Sequence, residues 1–283
     1  MIIQKMLDYI VNADAFNIIV IGVGGTGSRV ALESAKLMHH AREKGVQVSL
    51  TLIDPDIVED KNVGRQQFGP AEVGLNKAVA KARALSLWLG CEVAAIPSLF
   101  ESGSSLPLIG RGYRGDAPAV MNIVVGCLDD QHGNAGRQAI AAAMPDHQPI
   151  IWIDAGNDQY SGQVLVGTSH CKKETVVTDS LGLVSDIPYP HIAQPALLKA
   201  SETAVSDDVL SCAELTFMDE QSLFINSVMA TIVASYLESI VFRKRLSSLA
   251  TYANLKPFPT VQSEAITAES LADAMSSIPP VES

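Results

Sequence analysis

The sequence predicts an α/β fold of the Rossmann-like, doubly wound kind, with a mostly parallel sheet and an antiparallel extension. Three observations carry that prediction. An apolar run over residues 17–22 passes straight into Gly22-Val23-Gly24-Gly25-Thr26-Gly27, and a helical pattern follows. A second apolar run over residues 47–54 ends in Asp54. Two more apolar runs, at 119–126 and 150–155, have the length and composition of buried parallel strands.

Taken in order, residues 2–11 carry apolar side chains at Ile2, Ile3, Met6, Ile10 and Val11, a helical spacing. Residues 17–22 form the first strand, 25–40 the first helix and 47–54 the second strand. A strand, a glycine turn, a helix, a strand and a terminal acid describe a nucleotide-binding βαβ unit. Gly22, Gly24, Gly25 and Gly27 let the backbone approach phosphates, and the helix start beyond them offers unpaired N–H groups to an anion. Asp54 is placed to accept from ribose hydroxyls. Residues 73–89 make another helix and 92–97 a short strand, while 98–118 are rich in Gly, Ser and Pro and read as a loop. The run at 119–126 delivers Cys127-Leu128-Asp129-Asp130 to the carboxyl edge of the sheet, where ligands bind in such folds. Past Gly167 the periodicity is lost for about forty residues, a length that marks a functional or a disordered loop. A long helix follows over 214–245, and 249–262 add one or two edge strands. The expected organisation is one domain over 1–262, with a loop at about 168–211 and a loose tail over 263–283.

The residues beyond Asp54 decide which nucleotide is meant. Asn62, Arg65 and Gln66 follow it, and Lys77 lies eleven residues past Gln66. Arginine matches phosphate oxygens as a planar fork and lysine as a point charge, so the set suits a triphosphate. An NAD-binding oxidoreductase would leave this set idle, and no hydride-transfer acid/base pair stands out. A non-catalytic nucleotide-binding scaffold stays open, because binding and catalytic residues coincide here.

Together with the glycine turn, Asp54-Pro55-Asp56-Ile57-Val58, Asn62-Val63-Gly64-Arg65-Gln66 and Gly74-Leu75-Asn76-Lys77 resemble the signature of the ThiF/MoeB/HesA family. These are the activating enzymes of ubiquitin-like and sulfur-carrier proteins, and the resemblance covers roughly residues 17–245. It implies ATP bound by the four glycines, Asp54, Asp56, Asn62, Arg65, Gln66 and Lys77. It also implies Mg²⁺ on Asp129, as hard cations prefer carboxylate oxygens, with Arg137 behind that aspartate. The reaction implied is adenylation of the C-terminus of a small ubiquitin-like or sulfur-carrier protein. Arg65, Lys77 and Asp129 would act by positioning and charge neutralisation. In relatives the long loop covers the carrier's tail.

Some compact relatives then take the acyl group on a cysteine in a Cys-Ala pair before the long helix. Cys212-Ala213 matches that place, and a thiol at a helix start gains thiolate character. Cys171 is the alternative nucleophile, and Cys91 and Cys127 read as core. Three departures stand out. Lys77 is one residue closer to the Arg-Gln pair than is usual. No arginine precedes Arg29, where relatives often place one that reaches into the partner subunit's site. No Cys-x-x-Cys pair is present, so no structural zinc is expected. The missing zinc cysteines and short N-terminus resemble the ThiF-like member of the PRTRC cassettes, which would make the partner a small ubiquitin-like protein.

A formal charge of −11 argues against binding nucleic acid, which needs clustered Lys and Arg. No basic segment followed by an apolar one opens the chain, which predicts a cytoplasmic protein. The most apolar stretch, 221–242, contains Asn226 and Glu238 and reads as a buried helix rather than a membrane span. Its surplus of apolar surface, in the region through which relatives pair, predicts a homodimer.

Overall fold

The computed structural model describes residues 5–108, 119–128, 134–145, 150–171, 181–198, 222 and 224–276. Its first half runs β1 (Asp8–Ile10), β2 (Ala15–Ile21), α1 (Gly25–Glu43), β3 (Gln47–Ile53), α2 (Lys77–Leu89), β4 (Ala94–Ile96) and β5 (Val120–Gly126). The second half runs α3 (Ala135–Ala143), β6 (Ile150–Asn157), β7 (Ser161–Gly167), β8 (Leu183–Val184) and α4 (Pro190–Ala193). It closes with α5 (Ile225–Glu238), β9 (Arg245–Leu246), β10 (Ser248–Asn254), β11 (Thr260–Ala265) and α6 (Ala268–Ser276).

The main sheet has eight strands in the order β11-β10-β7-β6-β5-β2-β3-β4. From β4 to β6 the neighbours pair in parallel, and β7, β10 and β11 extend the sheet antiparallel. This is the expected α/β architecture with its antiparallel extension. Both faces of the central strands β2, β5 and β6 are covered, so these are apolar along most of their length, whereas β3, nearer the edge, alternates Gln47, Ser49 and Thr51 with apolar residues. Ile18 and Val20 of β2 pack in one core with Val30, Ala31 and Ala35 of α1 and Met229 and Val233 of α5. Ile19 and Ile21 pack in a second core with Ile140 of α3, Trp152 and Tyr189.

Several expectations need correction. The apolar spacing over 2–11 does not make a helix through residue 10. Residues 8–10 are a strand, pairing with β8 and β9 in a separate three-stranded sheet. The helix expected from residue 73 starts at Lys77, because Asn76 caps it: its side chain accepts from the Val79 N–H. Residues past 263 are not a loose tail as far as Ser276. They continue β11 and form α6, whose Ser270 and Leu271 are buried.

The long apolar helix is a core helix, as its sequence predicts. α5 continues as a π turn over Ser239–Arg243, and the whole is long and apolar enough by composition to cross a membrane. Most of its apolar side chains are buried inside the chain, with α1, β6, β7 and β10 packed around them.

Candidate functional site

The glycine turn sits where the strand order reverses, since β2 has β3 on one side and β5 on the other. Gly22 leaves β2 with φ +88°, and a Cβ there would lie 2.5 Å from the Cys127 carbonyl oxygen. A Cβ on Gly27 would lie 1.8 Å from the Gly22 carbonyl oxygen. No side chain fits at either position without moving backbone, so α1 starts hard against its own strand. The Cys127 N–H donates to the Ile21 carbonyl at 2.8 Å, bringing the end of β5 to the same turn.

Asp54 fastens this turn to the next segment. It is buried; one carboxylate oxygen accepts from the Val23 N–H at 2.5 Å and the other from the Asp56 N–H at 2.8 Å. Burial raises its carboxyl pKa, while those two backbone donors and the nearby Lys77 work in the opposite direction. Each oxygen keeps capacity for a further donor, which is what accepting from a ribose hydroxyl requires. Asn76 adds a second fastening by donating to the carbonyls of Asp54 (2.8 Å) and Asp56 (3.0 Å). The buried Lys77 then closes on Asp56 at 2.9 Å. Asp56, expected among the nucleotide ligands, is here the counter-ion of Lys77.

Beyond it, residues 62–68 form the turn that carries the Asn-Arg-Gln motif. Asn62 is buried, its side-chain oxygen accepts from the Glu59 N–H at 2.8 Å, and its carbonyl accepts from the N–H groups of Arg65 and Gln66. It is the cap of the turn. Arg29 holds the turn to the glycine segment, donating to the carbonyls of Gly25 (2.7 Å) and Arg65 (2.9 Å) and to the Ser227 hydroxyl (3.0 Å). The Gln66 side-chain nitrogen lies 4.0 Å from where a Cβ on Gly24 would be, and nothing else comes within that distance. The Gln66 Oε1 is buried with no hydrogen-bond partner. A buried acceptor left unsatisfied beside an open glycine suits a donor brought by a ligand. The start of α5 closes the rear, where the Thr26 hydroxyl lies 2.8 Å from both Asn226 Oδ1 and Asn157 Oδ1.

At the end of β5, Arg137 donates to the Leu128 carbonyl at 2.9 Å and from its Nε to both carboxylate oxygens of Asp154, at 3.0 and 3.2 Å. Arg137 thus fixes the residue immediately before Asp129. Asp129 itself and Cys212 lie outside the described residues. Among the described residues no group of three His, Cys, Asp or Glu side chains is arranged to hold a metal ion. Of the described thiols, Cys91 is buried. Burial, and then Asp154, raise the Cys127 thiol far above the ordinary range, with Arg137 opposing. Burial pushes Cys171 up to about 11, although the Ser169 hydroxyl at 2.9 Å works against it. For both thiols burial therefore works against the thiolate form.

The structure therefore brings Gly22, Gly24, Gly25, Gly27, Asp54, Asp56, Asn62, Arg65, Gln66 and Lys77 into one connected region. It adds Arg29, Asn76 and Asn226, which sequence reasoning did not assign to it. Arg29 lies one helical turn past Gly25 and Asn76 sits at a cap, signals that were available. Asn226 was visible only as a lone amide in an apolar helix.

A model of the ThiF family matches residues 9–270. Among solved structures, Escherichia coli MccB with ATP matches at 14% identity and a TM-score of 0.52, over 89% of this chain and 64% of that one. MccB with AMPCPP and MccA matches at 15% identity and a TM-score of 0.50, over 89% and 63%. TcdA, the E. coli tRNA N6-threonylcarbamoyladenosine dehydratase, matches at 17% identity and a TM-score of 0.44, over 81% and 86%. The chain spans less than two thirds of the length of MccB, and at these identities the likeness to MccB is one of fold. No curated protein matches in sequence.

Proposed function

This chain belongs to the ThiF family, and on that premise we propose that it adenylates the C-terminal carboxylate of a small protein or peptide at the expense of ATP. The observation that best supports the reading is the continuous network from the glycine turn through Asp54 and Asp56 to Lys77, with Arg29 joining Gly25 to Arg65. It gathers a helix start, two cations and an amide with an unspent acceptor at one edge of the sheet. A dinucleotide has no use for the second half of that set.

In the proposed reaction a carboxylate oxygen of the carrier attacks the α-phosphorus. The bond from that phosphorus to the oxygen bridging toward the β-phosphate breaks, and its electron pair leaves with pyrophosphate. Neither reactant needs a protein nucleophile or a proton from the chain. The chain's work is positioning and charge neutralisation. Arg65 grips phosphate oxygens as a fork, and Lys77 exchanges Asp56 for phosphate. Asp54 accepts from a ribose hydroxyl, and Gln66 accepts from a donor on the nucleotide. Asp129 would hold Mg²⁺, which supplies further neutralisation across the phosphates.

The proposed carrier is a small ubiquitin-like or sulfur-carrier protein, with Cys212 taking the acyl group if a thioester follows. MccB holds AMPCPP and MccA together, which supports a site shared by a nucleotide and a second substrate. The proposed assembly is a homodimer. The test is exchange of labelled pyrophosphate into ATP in the presence of purified candidate carriers. Exchange that depends on a carrier and is abolished by Asp129→Ala is the expected result. ATP binding without exchange for any carrier would reduce the protein to a nucleotide-binding scaffold.

A further inference from the structure

We propose that Lys81 is a positioning residue of the nucleotide site, holding the turn that presents Arg65 and Gln66 in place through the carbonyl of Gln67. The proposal rests on the adenylation reading only in taking ATP as the ligand.

Lys81 lies one helical turn beyond Lys77 on α2, so the two side chains leave the same face. It is 5% exposed. Its ammonium donates to the Gln67 carbonyl and lies 4.8 Å from the centroid of the Phe68 ring. The Gln67 N–H in turn donates to the Ser28 hydroxyl at 3.3 Å. Gln66 is thereby bracketed. The carbonyl before it is held from α1 by Arg29, and the carbonyl after it from α2 by Lys81. Loss of the second hold frees one side of the residue whose buried oxygen waits for a donor.

The electrostatics point the same way. Among the described residues Lys81 forms no ion pair. Glu72 is near enough to be felt, but its carboxylate accepts from the Gly69 N–H at 2.7 Å. A buried ammonium without a carboxylate is unfavourable for folding, and methionine would fill similar space without that penalty. A local choice that opposes stability is expected where a site needs it. Here the charge lies close to Arg29 and one turn from Lys77, adding to a positive field suited to a triphosphate.

The groups facing Lys81 are Arg29 on α1, Glu72 and the Gln67–Phe68 turn before α2, and Lys77 on its own helix. Burial lowers its pKa to about 8; Glu72 opposes the shift and Arg29 adds to it. The ammonium is thus present at neutral pH and lost between pH 7 and 9, and an arriving anion favours its return.

Calorimetric titration of ATP with Mg²⁺ into the full chain, at pH 7 and pH 9 and alongside thermal melts, tests this. With a pKa of about 8, the protonated fraction falls from about 0.9 to about 0.1, so wild-type affinity should weaken about tenfold over that range. Lys81→Met should bind ATP about tenfold more weakly than wild type at pH 7, lose that pH dependence, and melt no lower than wild type. Lys81→Arg, charged at both pH values, should hold its pH 7 affinity at pH 9. Wild-type affinity in Lys81→Met at pH 7 would overturn the proposal, as would an affinity that falls only in step with a lowered melting temperature. Failure of wild type to bind ATP at either pH is a separate result. It would overturn the adenylation reading and this proposal with it.

Discussion

Replacing Asp154 by alanine strands the Arg137 guanidinium in the core. Asp154 is wholly buried and Arg137 is 4% exposed, with Nε of the arginine 3.0 and 3.2 Å from the two carboxylate oxygens. Removing one partner of such a pair costs about 3–5 kcal/mol. For a chain of this size each kcal/mol is worth roughly 2–4 °C of melting temperature, so a drop of about 6–20 °C is expected. A double variant, Arg137→Met with Asp154→Leu, removes both charges and should recover most of that loss, because apolar replacement of a buried pair is often neutral. It should not recover activity. The Leu128 carbonyl loses the donor that fixes it, and Asp129 follows directly. Melting followed by circular dichroism, together with pyrophosphate exchange, reads both effects. An Asp154→Ala protein melting within a degree or two of wild type would refute the energetic argument, and a fully active double variant would refute the positioning argument.

Further outcomes are expected. Gly27→Ala places a Cβ 1.8 Å from the Gly22 carbonyl oxygen and should abolish ATP binding. Gly45→Ala meets no atom within 4 Å, and its φ of +73° should cost only about 1 kcal/mol, measurable by urea unfolding. His191 packs among Trp152, Tyr189 and His170, and burial, with His170 adding, lowers its pKa to about 4. Between pH 6.5 and 4 the unfolded chain therefore binds a proton that the folded chain does not, and stability falls as pH falls. Discounted for its partial exposure, the effect is about 1–2 kcal/mol, and His191→Phe should remove it from the urea midpoints. Cys212→Ala should leave pyrophosphate exchange intact while eliminating any reducible carrier adduct on a gel. Cys171→Ala should keep the adduct, and the reverse pattern would move the nucleophile.

The βαβ unit was legible because everything that specifies it is local. Apolar runs of strand length, glycines at fixed offsets and a strand-terminal acid lie within about forty residues of one another. The Asn62 to Lys77 motif was legible as a set of side chains, but not the division of labour within it. Nothing in the sequence says that Asn62 is spent on the Glu59 N–H or Lys77 on Asp56, since those bonds depend on how the loop closes. β1 was misread because its partners are distant: Tyr9 pairs with Val184 and Leu246, and neither leaves a trace in the local spacing. The apolarity of α5 announced burial but not by what, and the answer, α1 and the far strands, is a tertiary fact. Lys81 carried no signal beyond standing four residues after Lys77. Its burial follows from the turn folding over it.

On the adenylation reading the carboxyl edge of the sheet takes a triphosphate rather than a dinucleotide. Calorimetric titration of the wild-type chain with ATP plus Mg²⁺, and separately with NAD, tests it most directly. Saturable binding of ATP is expected, and none of NAD at matched concentrations. Arg65→Ala and Lys77→Ala should each weaken ATP about 10- to 100-fold, as loss of a charge-assisted hydrogen bond of about 1.5–3 kcal/mol requires. Tighter binding of NAD than of ATP, or ATP binding indifferent to both substitutions, would contradict it.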